Sequence, residues 1–204
     1  MDPGGAQGVL MYFVLPLWVA AGLADYLCHR ATSIETTSGW KESVLHLLQF
    51  GQMALPTLAA IFLEINALVM LTMIICLFAH EATAIWDVSY SYRKREITPT
   101  EQHVHSVLEM LPLMGLLIVV TLHWSQFLAL FGIGHETADF GLRLKQPPLP
   151  WIYVTVILCL VLLFDLLPFL EELARGIKHR HFDSREPGGP GDQARSRGRL
   201  GTGR

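Results

Sequence analysis

The chain has 204 residues, of which 51% are hydrophobic and only 16% charged, and a formal net charge of -3. A mean hydropathy of +0.39 is too high for an ordinary soluble domain, and the charge excludes a globally basic nucleic-acid binder. Three cysteines, Cys28, Cys76 and Cys159, are odd in number, far apart and set in apolar runs. They suggest neither a disulfide framework nor a thiolate metal site.

Five apolar stretches are long enough to cross a bilayer, so the sequence predicts an all-α integral membrane protein. The first span covers about 8–28. No basic segment precedes it and Asp25-Tyr26-Leu27-Cys28 is a poor cleavage site, so it reads as a helix and not as a cleaved signal peptide. The second span, 42–63, is made polar and kinked by Gln49, Gln52 and Pro56. Only Glu64-Ile65-Asn66 separates it from the third, 66–90. The fourth, 99–131, opens on Thr98-Pro99-Thr100-Glu101, a capping box with proline at the first helical position. At about 50 Å it must tilt or protrude from a hydrocarbon core about 30 Å thick. A connection over 132–150 ends in the stiff run Gln146-Pro147-Pro148-Leu149-Pro150, and the fifth span follows at 151–173. Residues 1–177 thus read as a transmembrane helical domain and 178–204 as a disordered basic tail rich in Gly, Arg and Pro. No internal repeat is evident.

Alternating spans place Arg30, Lys41, Arg93, Lys94, Arg95, Arg175, Lys178 and the arginines of the tail on one side, against Arg143 and Lys145 on the other. The positive-inside rule makes the first side cytoplasmic, with the N-terminus outside and the C-terminus inside. The expected setting is a bacterial inner membrane.

On that side helix one ends, helix two begins, helix three ends and helix four begins. Asp25 and His29 are four residues apart on helix one, as are Glu42 and His46 on helix two, and Glu101, His105 and Glu109 on helix four. His80 and Asp87 are seven apart on helix three, with Ala84 between them. Such spacings put each set on one helix face, so four helices present imidazoles and carboxylates to one layer. Ionisable groups in a membrane are costly unless they pair or bind a cation. The expected metal ligands are therefore His29, His46, His80 and His105, with Glu109, Asp25, Glu42, Glu81 and Asp87 completing the shell. Imidazole plus carboxylate without thiolate suits iron, manganese or zinc, and the number of donors suits two ions.

Plainer readings exist for several of these groups. Glu101 is most simply the third residue of its capping box, and Glu42 a first-turn carboxylate favoured by the helix dipole. Asp87 reads equally as a solvated acid before Arg93-Lys94-Arg95, and Glu35 as a solvated loop acid. His103 is rotated off the helix-four stripe. His123 lies in the outer half of helix four and reads as a packing histidine. Asp165, ahead of Pro168 and Glu171-Glu172, reads as a proton-path residue or an acid bonding a neighbouring helix.

Carboxylates and histidines inside a four-helix bundle resemble the general plan of the di-iron carboxylate proteins. Their Glu-x-x-His motif is not present in that form: Glu42-Ser43-Val44-Leu45-His46 has one residue more between the ligands. The HxxxH and HxxHH boxes of membrane desaturases and hydroxylases are also lacking. Asp25-Tyr26-Leu27-Cys28-His29-Arg30, the 42–46 segment, His80-Glu81-Ala82-Thr83-Ala84 and the 101–105 segment resemble a family of small proteobacterial membrane proteins, over about residues 8–175. That family has no settled biochemistry, and some members carry a diguanylate cyclase label. The chain has no GGDEF motif and no soluble nucleotide-binding domain, so that activity is rejected here.

The function expected is that of a membrane-embedded non-haem metal protein, with two iron ions as its cofactors and manganese or zinc as alternatives. It would activate oxygen to oxidise, hydroxylate or desaturate a lipid or quinol from the bilayer, with an electron donor the sequence does not name. Rival readings are a cation or proton transporter, a haem b protein exchanging electrons with quinol, and a scaffold whose polar layer only fixes packing.

Overall fold

The computed structural model describes residues 3–183, with side chains from 4 to 180. Five of the described helices are long and apolar enough to cross a membrane, as in a multi-pass membrane protein. Helix α1 runs from Pro3 to Thr32 and contains a π turn at Leu10–Val14. Helix α2 is Trp40–Phe62, α3 is Ala67–Ser91 and α4 is Pro99–Leu122. Helix α5 runs from Trp151 to Asp183 through a second π turn at Leu162–Leu166. Large apolar side chains such as Leu55, Phe78, Ile85 and Phe164 face outward, which a lipid solvent tolerates and water does not.

Local chemistry sets the ends of these helices. Ser33 adopts the left-handed conformation that terminates α1, and Gly39, at φ 70°, opens α2. Asn66 caps α3 by accepting from the Val69 amide and donates to the Gly141 carbonyl at 2.7 Å, tying the long 132–150 connection to the α2–α3 turn. That connection also exchanges backbone hydrogen bonds with the turn, from Glu64 N–H to the Arg143 carbonyl and from Lys145 N–H to the Phe62 carbonyl.

Two expectations need correction. The fourth span is not one helix to 131: α4 stops at Leu122, His123 takes a non-helical conformation, and a six-residue helix follows at Trp124–Ala129. At 24 residues, or about 36 Å, α4 no longer has to protrude far. Residues 178–183, expected in the tail, continue α5 beyond the helix-favouring run Leu170-Glu171-Glu172-Leu173-Ala174-Arg175. The expected disordered stretch from 184 to 204 lies outside the described residues.

Candidate metal centre

Two glycines let α5 approach the other helices. A Cβ on Gly176 would lie 2.9 Å from the Trp40 backbone at the start of α2, and one on Gly22 would run into the Asp165 carboxylate. With α5 seated against α1 and α2, Glu172 is buried between two histidines. Its Oε2 lies 3.0 Å from His29 Nδ1 and its Oε1 lies 3.1 Å from His46 Nδ1. The two imidazoles stack, with centroids 4.4 Å apart and planes 6° from parallel.

A carboxylate only accepts, so each Nδ1 carries a hydrogen and donates it to Glu172. Both Nε2 atoms therefore point the other way, toward further acids. His29 Nε2 lies 3.5 Å from Asp25 Oδ1 and 3.4 Å from Glu101 Oε1. His105 Nε2 lies 2.9 Å from the same Asp25 oxygen, and His46 Nε2 lies 3.0 Å from Asp87 Oδ2. Asp25 Oδ1, His29 Nε2 and His46 Nε2 nevertheless have no aligned hydrogen bond, although all are buried. Two donors each held about 2.1 Å from one ion lie about 3.0 Å apart at right angles and about 3.4 Å apart at the tetrahedral angle. The observed separations fit ligands sharing an ion, and fit direct imidazole–carboxylate pairs as well. Asp25, His29 and His105 form one such group, with donor atoms within 4.8 Å of one another, and His29, Glu42 and His46 form a second.

Arg95, from the α3–α4 connection, closes the layer. Its Nη2 donates to Glu42 Oε1 at 2.6 Å and to Glu101 Oε1, and its Nη1 donates to Glu101 Oε2 at 2.9 Å. Burial alone would lower the guanidinium pKa, but the bonds to Glu101 and Glu42 raise it above its ordinary value. Asp25, Glu42, Asp87, Glu101 and Glu172 are all buried, with Arg95 as their cation. Five carboxylates against one guanidinium leave four negative charges if the imidazoles are neutral. Desolvating each uncompensated ion costs several kcal/mol, so the layer calls for positive charge, as bound cations or as protons on the imidazoles. Outside it, Arg30 and Arg175 bind Glu171, Tyr26 donates to the same acid, and Arg175 also meets Glu35. These pairs fasten α5 to α1 and to the loop, and the half-exposed Arg30–Glu171 pair contributes little stability.

Of the residues expected as ligands, Asp25, His29, Glu42, His46, Asp87 and His105 are brought together, and three are not. His80 is buried, but seven residues from Asp87 places it about 10 Å further along α3, where its Nδ1 has no partner. Glu109 stands about 6 Å beyond His105 for the same reason, within Coulombic reach of Glu81 and in neither ligand group. Glu101 is more than a capping residue. Thr98 does accept from its amide at 3.2 Å, but its carboxylate goes to Arg95 and faces His29 instead of returning to the cap. Glu172 and Arg95 are the members that sequence reasoning missed, and Glu101, placed on the helix-four stripe, was read first as a capping residue. For Glu172 a signal existed in the helical spacing of Asp165, Phe169 and Glu172, a face that the structure buries.

No family model, curated protein or solved structure matches the chain. Its chemistry therefore rests on its own geometry.

One cavity adjoins the layer, and a second, larger one borders the first. The smaller, about 140 Å³, is lined by Asp25, His46, Gln49, His80 and Asp165 together with mainly apolar residues. The larger, about 470 Å³, lies among α1, α2, α3, α4 and the 145–153 segment. Leu15, Trp18, Met53 and Thr57 line both. Irregular backbone gathers here: the Leu10–Val14 π turn, Pro56 and Pro112 border the larger cavity, and Asp165 of the second π turn borders the smaller.

Proposed function

We propose that the chain is a membrane-embedded non-haem two-metal protein, with iron as its metal, that oxidises a substrate from the lipid phase. Asp25, His29, Glu101 and His105 would hold one ion, and Glu42, His46 and Asp87 the other. One observation carries this reading. Glu172 accepts from both Nδ1 atoms, so that neutral rings would turn two Nε2 lone pairs toward carboxylates. Lone pair facing carboxylate is repulsive unless a cation lies between. A carboxylate behind a histidine, on the side away from its donor nitrogen, is the usual support of a metal-ligating imidazole. Two divalent ions would bring the four positive charges that the layer lacks. Protons on both stacked rings would instead set two imidazoliums face to face at 4.4 Å.

Stacking also argues against a haem between His29 and His46, because parallel rings that share one acceptor leave no room for a macrocycle between their Nε2 atoms. Iron, once bound, supplies the redox step with dioxygen as oxidant. Hydroxylation puts one oxygen atom into a C–H bond and releases the other as water. Desaturation removes two hydrogens and releases two waters. Either consumes two electrons and two protons from outside, so a reductant must meet the layer, and the positive-inside reading puts it on the cytoplasmic side. The chain's part is to hold the ions, to fix the rings through Glu172 and to lead an apolar substrate in through the cavities.

Alanine variants test the placement of the centre. His46→Ala and His105→Ala should each remove at least one ion per chain from protein that still inserts in the membrane. His123→Ala, at the far end of α4, should keep the full complement. Unchanged metal in the first two, or its loss in the third, would contradict the assignment.

A further inference from the structure

The larger cavity has one polar end. Lys145 and His123 line it there, on the side away from the metal layer, within Coulombic reach of each other. Lys145 is half-buried and has no ion-pair partner among the described residues, and burial lowers its ammonium pKa while Glu64 opposes that shift. Glu64 is itself held by Arg143 at 3.2 Å. Between this end and the metal layer the walls are mainly apolar: Leu10, Val14, Trp18, Met53, Leu77 and Val119. Leu15, Trp18, Met53 and Thr57 line both cavities, so the two lie side by side along the bundle. His123 and His105 stand eighteen residues apart on and just beyond α4, about 27 Å, close to the hydrocarbon thickness of a bilayer.

We infer that the adjoining cavities are a binding tunnel for a single-chain amphiphile with an anionic head, held head-first on Lys145 and His123 with its chain running past Trp18 and Met53 toward His46 and Asp25. The chemistry of the two ends selects this occupant. An unpaired, half-desolvated ammonium beside an imidazole is completed by an acidic head, which forms a charge-assisted hydrogen bond there. The layer end is already rich in carboxylates and would repel that head. This inference deepens the proposed function, because it places mid-chain or chain-end carbons, and not the head, beside the metals.

The test uses the full chain in detergent, with palmitate and its neutral analogue hexadecanol as probes and bound metal measured on the same samples. Palmitate should bind more tightly than hexadecanol. Lys145→Glu should weaken palmitate about tenfold, the scale of one charge-assisted hydrogen bond, and leave hexadecanol unchanged, while Lys145→Arg should restore binding. A palmitate analogue with a photoreactive group at the chain end should label residues between 46 and 53 of α2 or Trp18. Equal binding of acid and alcohol, no effect of Lys145→Glu, or labelling confined to the 141–153 segment would each overturn the inference. Palmitate binding without metal would leave the tunnel standing and remove the metal centre. Two metals without palmitate binding would do the reverse.

Discussion

Glu172 joins the stacked histidines, and its replacement separates their orientation from their presence. In Glu172→Gln the amide keeps the size of the side chain, but its nitrogen can no longer accept, so one Nδ1–H loses its partner. Removing such support behind a metal-ligating histidine weakens metal binding by about 10- to 100-fold. A metal titration of the purified variant should show that loss with His29 and His46 intact, and wild-type affinity would mean that Glu172 only packs. The same scale explains what reading the sequence could find. Asp25, His29, Glu42, His46 and His105 were legible because pairs four residues apart at helix ends declare a common face. Arg95 was not, since in sequence it is one of three consecutive basic residues in a connection, and nothing distinguishes the one that turns inward. Glu101 was hidden by a competing local explanation that is itself half correct: the backbone half of its cap forms, and the side chain leaves for the layer.

At the scale of elements, the centre depends on how closely α5 lies on its neighbours. Gly176 is one turn beyond Glu172, and at that point the α2 backbone is near enough that any Cβ must push it away. Gly176→Val should therefore lower bound metal, although residue 176 touches none of the proposed ligands, and it should do so in protein that still inserts. Elemental analysis checks this, and a full metal complement would show that the approach of α5 is not what sets Glu172. The five helices themselves were legible from hydrophobic length, together with the polar turn between α2 and α3 and the proline start of α4. The involvement of α5 was not. Its basic and acidic end reads as a helix leaving the membrane, and only contact with α1 and α2 turns one of its two adjacent glutamates inward while Glu171 stays at the surface with Arg30. The break at His123 was equally hidden, because the residues on either side of it remain apolar.

For the whole molecule, an apolar bundle wraps five buried carboxylates at one end and carries a mostly apolar cavity toward the other. Without cations such an end costs stability, so metal binding and folding should be coupled, as for any ligand that binds only the folded state. The most direct measurement is the metal content per chain, by elemental analysis of detergent-purified protein kept from chelators. The account predicts close to two irons per chain. Protein that is folded, fully inserted and free of stoichiometric metal would contradict it, and would return the histidine and carboxylate layer to helix packing or proton transfer.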